Sequence, residues 1–186
     1  MGLRAKKIGA IFMEIQSFHE VVITPQRTLV LCDIDDTLLK WDKTLESCMA
    51  EAVSLFPNEQ EYFQRINGYN LWTNYLDSVP PSWTDQEGFV NMLGRMSPCS
   101  RLVFLTARAG GEYAEWTKTN FECLGLNYNA SGVFYTGNRM TKGEYIRRFI
   151  PLEGYEKVIF IDDLPENITS VSSTFPEIQC YQWINT

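Results

Sequence analysis

Carboxylate and hydroxyl side chains follow directly after three short apolar segments of this chain. In sequence order these side chains are Asp33, Asp35, Thr37, Thr106, Asp162 and Asp163. A single acidic pair would be weak evidence, because such pairs are common in loops and at helix starts. Two acidic clusters and one hydroxyl at equivalent places are harder to attribute to chance. Clustered carboxylate oxygens suit a hard cation such as Mg²⁺, and a positioned carboxylate can act as a nucleophile or as a general acid.

The apolar segments that precede these side chains are typical of buried parallel strands, being short and rich in β-branched or aromatic residues. The strongest candidates are 28–32, 101–105 and 157–161, and weaker candidates are 132–135 and 178–183. Helical patterns lie between them, for example at 113–124 and 145–150. This alternation predicts an α/β fold with a Rossmann-like, mostly parallel sheet flanked by helices. Ligands bind beyond the carboxyl ends of the strands in such sheets, so the polar side chains should meet there.

The segment 40–100 differs from the rest, because it contains helical patterns such as 44–56 and no convincing strand. We expect a single domain over 1–186 in which 40–100 forms a small helical, cap-like insertion; an ordinary long crossover packed on the sheet is the alternative. The segment is rich in aromatic residues, namely Trp41, Tyr62, Phe63, Tyr69, Trp72, Tyr75 and Trp83. These rings either pack in a core, which is the more frequent case, or line a pocket for an aromatic ligand. Trp41, close behind Asp35, is the best candidate for a substrate contact.

The composition limits the partners and the compartment. A formal charge of −7 and a pI near 4.8 disfavour binding to nucleic acids or to anionic membranes, which requires clustered Lys and Arg. Five scattered cysteines and one histidine favour buried thiols in a reducing compartment over disulfides or a zinc site. The apolar run at 8–13 is too short for a signal peptide or a membrane span. We therefore expect a cytoplasmic protein, although export by a dedicated secretion system would leave no trace in these patterns.

The polar segments together resemble the four-motif signature of the haloacid dehalogenase superfamily, over roughly 28–167. The matching segments are, in the family's order, 29–39 (LVLCDIDDTLL), 104–108 (FLTAR), Lys142 within 141–144 (TKGE), and 160–163 (FIDD) followed by Asn167. The first segment is also similar to that of an acid-phosphatase-like bacterial branch of the superfamily. Rival routes to phosphoryl transfer lack their motifs, because no cysteine is followed six residues later by arginine and no Walker loop is present.

The resemblance implies catalytic roles for four residues. Asp33 would be the nucleophile, forming an aspartyl-phosphate, and Asp35 would protonate the leaving oxygen and then activate water. Thr106 and Lys142 would bind the phosphate oxygens. An acid at position 35 favours phosphatase or phosphotransferase activity, because ATPases of the superfamily typically carry Thr there and its dehalogenases lack this acid.

The resemblance also implies a magnesium site and substrate contacts. The residues implied at the Mg²⁺ site are Asp33, Asp35 through its backbone carbonyl, Asp162 and Asp163. Asn167 would orient one of these ligands or a bound water. Arg108 either contacts the substrate or forms a surface salt bridge, and Trp41 is the second candidate substrate contact.

The resulting expectation is a magnesium-dependent phosphomonoester hydrolase acting on a phosphorylated substrate. The short interval between Thr106 and Lys142 leaves no room for a large second-type cap, so the site should stay open to bulky substrates. An open site suits phosphoproteins and bulky aryl phosphates. Because the insertion is rich in aromatic residues, we favour a phosphoprotein, such as one carrying phosphotyrosine, over a small metabolite or a nucleotide. A non-catalytic binding module of the same fold and a nucleic-acid end phosphatase are further alternatives, and the net charge argues against the second. The substrate and the oligomeric state stay open at this level.

Overall fold

The computed structural model describes residues 12–129, 132–137 and 139–185. The strands are β1 (Phe12–Ile15), β2 (Thr28–Cys32), β3 (Leu39–Lys40), β4 (Ser82–Trp83), β5 (Arg101–Thr106), β6 (Val133–Tyr135), β7 (Lys157–Asp162) and β8 (Gln179–Trp183). The helices are α1 (Leu45–Leu55), α2 (Glu61–Ser78), α3 (Gln86–Arg95), α4 (Glu112–Cys123), α5 (Lys142–Phe149) and α6 (Pro165–Thr174). Within the described ranges, none of these helices combines the length and the apolar character that crossing a membrane requires.

Six of the strands form one sheet in the order β1-β8-β7-β2-β5-β6, and every neighbouring pair is parallel. This confirms the predicted α/β fold with a mostly parallel, Rossmann-like sheet flanked by helices. All five segments predicted to be strands lie in this sheet. The sixth strand, β1, was not predicted; it pairs with β8 at the edge of the sheet. Residues 8–11 of the apolar run at 8–13 lie outside the described part of the chain.

The central strand β2 is buried on both faces, which explains its continuous apolar sequence. Because side chains alternate along a strand, Val30 and Cys32 face one core, which α3 and α4 close. Leu29 and Leu31 face a second core, which α5 and α6 close. These four side chains are at most 1% exposed. Close packing on both sides holds β2 in place, and with it the residue that follows, Asp33.

The segment 40–100 contains helices with two different surroundings. Helices α1 and α2 pack against each other, whereas α3 buries Phe89 and Met92 completely in the core on one face of the sheet. Helix α2 ends at Ser78, because the proline pair at 80–81 cannot continue it. The two-residue strands β3 and β4 form a small antiparallel sheet where the sequence showed no convincing strand. That 40–100 acts as a cap over the site stays a prediction.

Candidate active site

Asp33 stands at the point where β2 ends and a tight turn begins. Its backbone N–H donates to the carbonyl of Ile161 at 2.9 Å, so the residue is still held by the sheet. In the turn that follows, the amide of Leu38 donates to the carbonyl of Ile34 at 2.9 Å. Asp36 has a φ of 58°, a left-handed conformation that Asp adopts more readily than most residues other than glycine. The turn therefore presents the carboxylates of the first motif at the carboxyl edge of the sheet.

A buried lysine joins the ends of two neighbouring strands. Lys142 donates to Oδ1 of Asp33 at 2.5 Å and to Oδ2 of Asp162 at 2.6 Å. It is the first residue of α5, whose start is fixed by Thr141, since that hydroxyl accepts from the amide of Glu144 at 3.3 Å. Burial alone would lower the pKa of Lys142, but the two carboxylates outweigh it and raise this pKa above its ordinary value. The ammonium therefore stays charged between the two carboxylates.

Three carboxylates at this edge can hold a metal ion. One oxygen from each of Asp33, Asp162 and Asp163 lies within 4.8 Å of the other two. A set of carboxylate oxygens suits Mg²⁺, which takes a few such ligands and keeps several waters, so the residues present fit the predicted ion. Burial raises the pKa of Asp163 to about 7, and the charges of Asp162 and Asp36 add to this effect. A bound cation would favour the ionised carboxylate, because ligation requires deprotonation.

Asp162 is held in one orientation by three donors. Its Oδ1 accepts from the side-chain amide of Asn167 at 2.9 Å and from the backbone amide of Leu164 at 3.0 Å. Its Oδ2 accepts from Lys142 at 2.6 Å. Asn167 lies in the first turn of α6, a helix that begins at Pro165. The structure thus places Asn167 against a carboxylate of the predicted metal site, where such partners orient a ligand.

The carboxylate of Asp35 binds Arg108 rather than Lys142. Nε and Nη2 of Arg108 donate to the two carboxylate oxygens at 2.9 and 2.6 Å, which is a bidentate pair. Arg108 also donates to Oγ1 of Thr117 at 2.9 Å, and its guanidinium lies 4.1 Å from the ring centroid of Trp116. The side chain of Arg108 is 5% exposed and that of Asp35 is 37% exposed. Arg108 therefore forms an ion pair whose cation is buried, and a contact with substrate stays a prediction.

Thr106 ends β5 and is fully buried. Its hydroxyl accepts from the backbone amide of Arg108 at 3.1 Å, and its carbonyl accepts from the amide of Thr136 at 2.9 Å. Within the described residues, no hydrogen bond links Thr106 to Asp33 or to Lys142. The structure thus places Thr106 at the predicted edge of the sheet, and its contact with a phosphate stays a prediction.

A cavity of about 610 Å³ opens beside Asp35, and Trp41 forms part of its wall. Trp41 is 9% exposed, and its indole N–H donates to the carbonyl of Val79 at 3.1 Å. Its ring stacks on Trp116 with a centroid distance of 5.7 Å and an interplanar angle of 7°. Trp41 therefore both packs against the core and borders the cavity.

Three residues to which the sequence assigned no role contribute to the site. The hydroxyl of Thr37 donates to Oδ1 of Asp163 at 3.3 Å, and the side-chain amide of Asn185 donates to the carbonyl of Asp36 at 2.9 Å. Trp116 stacks on the guanidinium of Arg108, which in turn binds Asp35, the candidate general acid. The position of Thr37 within the first motif was a signal for its role. No sequence pattern around Asn185 or Trp116 indicates a role, because only the tertiary fold brings these two residues to the site.

Comparisons with known proteins include a partial family match and distant similarities to solved structures, among them the following three. Residues 112–180 match a family model described as a protein of unknown function (DUF2608), and no curated protein matches the chain. The chain is similar to one chain in the structure of the Pnkp1/Rnl/Hen1 complex, with 14% identity and a TM-score of 0.49. The similarity covers 100% of this chain and 53% of that chain, so this chain spans about half of that chain's length. It is also similar to the Legionella pneumophila effector Ceg4 carrying an N-terminal yeast Hog1p sequence (14% identity, TM-score 0.44, 89% and 90% covered). A third similarity is to the UTR4 protein of Saccharomyces cerevisiae (12% identity, TM-score 0.41, 87% and 98% covered). At these identities and TM-scores, none of the three similarities indicates an activity.

Proposed function

We propose that this chain is a magnesium-dependent phosphomonoester hydrolase of the haloacid dehalogenase superfamily, acting through an aspartyl-phosphate on Asp33. The observation that carries the proposal is the buried ammonium of Lys142 between Asp33 and Asp162, with Asp163 beside them. Burying charged groups at the edge of a sheet costs folding free energy. A role in chemistry therefore accounts for an arrangement that stability alone does not favour.

Each residue has a task that its position supports. The carboxylate of Asp33 attacks phosphorus in line with the leaving oxygen, and the ammonium of Lys142 offsets the charge that spreads over the phosphate oxygens. Mg²⁺ held by the three carboxylates would supply the further positive charge that lets a carboxylate approach a phosphate dianion. Asp35 gives a proton to the leaving oxygen, and it then takes a proton from the water that attacks the aspartyl-phosphate, which releases phosphate and restores the carboxylate of Asp33.

Phosphate release from a small aryl phosphate, with and without Mg²⁺, tests the proposal. Asp33→Asn removes the nucleophile and should lower turnover to background, as should chelation of divalent ions. Asp42→Asn makes the same change at an exposed residue, and turnover should stay within about twofold of wild type. Mass spectrometry of acid-quenched wild type should find one phosphoryl group on the peptide that contains Asp33. Wild type that cleaves no phosphate ester would instead favour a non-catalytic binding module of the same fold.

Within this class we favour a phosphoprotein substrate, with phosphotyrosine as the leading candidate, over a small metabolite or a nucleotide. The aromatic cavity beside Asp35 supports this choice. The net charge of −7 supports a partner other than a nucleic acid or an anionic membrane, and the five free cysteines support the expected cytoplasmic location. Comparing kcat/KM on phosphotyrosine peptides, sugar phosphates and nucleotides tests the choice, and a clear preference for a sugar phosphate or a nucleotide would contradict it.

A further inference from the structure

The cavity beside Asp35 has aromatic walls that come from three separate parts of the chain. Trp41 follows β3, Trp72 lies on α2, and Tyr113 and Trp116 lie on α4. The volume of about 610 Å³ lies within the range of sites that hold small molecules. Because elements far apart in the sequence supply these rings, the cavity is a product of the whole fold rather than of one helix surface.

The aromatic rings hold one another in place. Trp41 and Trp116 are parallel, Trp72 stands edge-on to Trp41 at 6.2 Å and 75°, and Tyr113 stands edge-on to Trp116 at 6.3 Å and 83°. A ligand that enters the cavity does not have to order these side chains, which lowers the entropic cost of binding. Aromatic groups attract one another in stacked and in edge-to-face geometries, and both geometries occur among these rings.

The acid of the proposed reaction borders the same cavity. In that reaction Asp35 contacts the leaving oxygen, so the group attached to this oxygen extends into the space beside Asp35. Arg108 holds Asp35 through two hydrogen bonds, and its guanidinium lies 4.1 Å from the ring centroid of Trp116 and 5.9 Å from that of Trp41. The aromatic walls are therefore placed to select among leaving groups.

Negative charge dominates the polar part of the lining. Among the described lining residues, Asp35, Asp36 and Asp77 carry carboxylates and Arg108 carries a guanidinium. Arg108 is paired with Asp35. Even when Asp35 is protonated, as the proposed reaction requires, the carboxylates of Asp36 and Asp77 outnumber the one guanidinium. A second anionic group on the substrate would be repelled there, whereas a cationic group would be attracted by the carboxylates and by the ring faces.

We infer that this cavity is a leaving-group site for a planar aromatic ring that is neutral or positively charged, an inference that rests on the hydrolase function proposed above. The corresponding substrates are phosphate monoesters of phenols and of aryl-methyl alcohols. Substrates that carry a second phosphate or a carboxylate on the leaving group are disfavoured.

Benzyl phosphate and cyclohexylmethyl phosphate test the preference for a planar ring, because their leaving alcohols are similar in acidity. We expect kcat/KM to be roughly tenfold higher for benzyl phosphate, the effect of one or two aromatic contacts. Trp72→Leu should reduce this ratio to about two or less, whereas Phe63→Leu, at an exposed position of the same helix, should leave it unchanged. A wild-type ratio near one, or an equal ratio in Trp72→Leu and wild type, would overturn the inference.

The charge preference is tested with benzyl phosphates that carry a para substituent. The para-aminomethyl ester should be used about tenfold better than the para-carboxy ester, and Asp77→Asn should reduce this ratio about threefold. Asp77 is exposed, so Asp77→Asn should fold. This variant therefore still tests the cavity if Trp72→Leu does not fold. Equal use of the two esters by wild type, or no change in Asp77→Asn, would overturn the charge preference.

Methyl phosphate separates failure of this inference from failure of the proposed function. If wild type cleaves methyl phosphate, the hydrolase function stands and the benzyl-to-cyclohexylmethyl ratio decides on the cavity. If wild type cleaves no ester, the hydrolase function fails, and binding of benzylphosphonate and cyclohexylmethylphosphonate, measured by calorimetry in the presence of Mg²⁺, still decides on the cavity. Roughly tenfold tighter binding of benzylphosphonate supports the aromatic site, and equal affinities reject it.

Discussion

Replacing Lys142 with methionine removes the cation between two buried carboxylates while it keeps most of the length and the apolar stem of the side chain. Lys142 forms ion pairs with Asp33 at 2.5 Å and with Asp162 at 2.6 Å. The side chains of the lysine and the two aspartates are 3%, 8% and 0% exposed, respectively. In Lys142→Met, water can therefore do little to solvate the carboxylates that lose their partner.

The expected loss in the free energy of unfolding without metal is about 3 kcal/mol at neutral pH. Removing one partner of a buried ion pair costs about 3–5 kcal/mol, and the lower end applies because Asp162 keeps its bonds to Asn167 and Leu164. The pKa of Lys142 is raised on folding, so its contribution is complete below the ordinary pKa of a lysine and is lost as pH rises through the folded value. Mg²⁺ at about a hundred times its Kd should raise the free energy of unfolding of Lys142→Met by about 2.7 kcal/mol, because the ion binds the folded state and not the unfolded one.

Urea unfolding, followed by tryptophan fluorescence with and without Mg²⁺, measures this effect. Lys43→Met is the matched control, because Lys43 pairs with Glu51 at 2.8 Å at the surface, where the two side chains are 45% and 41% exposed. Lys43→Met should destabilise the fold clearly less than Lys142→Met, because solvent screens an ion pair at the surface. If Lys142→Met costs no more than Lys43→Met, the stability of the folded chain does not depend on the ammonium, and the reasoning from the buried charges is wrong.

Three other properties follow from the site. Asp35→Asn should lower turnover of alkyl phosphates by about a hundredfold or more, and that of dinitrophenyl phosphate much less, because the second leaving group needs no proton; equal losses would argue against Asp35 as the acid. The pKa of Asp163 is raised from 3.8 to about 7, so this group destabilises the metal-free fold as pH rises through that window. Mg²⁺ affinity, measured by calorimetry, should fall by up to about tenfold per pH unit below pH 7 and level off above it; a flat profile would contradict this. Gly143→Ala should destabilise the fold by about 1–3 kcal/mol, because a Cβ there would collide with the carbonyl of Ser170. Gly94→Ala, whose Cβ would meet nothing within 4 Å, should leave the free energy of unfolding in urea unchanged or slightly raised. Equal changes in the free energy of unfolding for Gly143→Ala and Gly94→Ala would refute the collision.

Much of the fold and the position of the site were predictable from local patterns. Strands buried on both faces are continuous apolar runs, and the runs that became β2, β5 and β7 were recognisable for that reason. Because a parallel sheet brings the carboxyl ends of its strands to one edge, the order of strand and polar residue placed Asp33, Thr106 and Asp162 there. Strand β1 escaped prediction, since three of its four residues are exposed and the alternation that marks a half-buried strand is missing.

The partners of the charged and aromatic side chains were decided only by the tertiary structure. The sequence identified the Asp33–Thr37 segment as chemically capable, but Lys142 reaches Asp33 across 109 positions and Arg108 reaches Asp35 across 73. Hydrophobic periodicity records whether a residue is buried and does not record which distant element buries it. Lys142 pairs with Asp33, whose side chain is 8% exposed, and Arg108 pairs with Asp35, whose side chain is 37% exposed; the sequence does not show this division. The same holds for the stacking of Trp41 on Trp116, which turns an aromatic segment into the wall of a cavity. Residue types and their order therefore predicted the chemistry of this chain, and the packing of remote helices against the sheet decided which of its groups lie together.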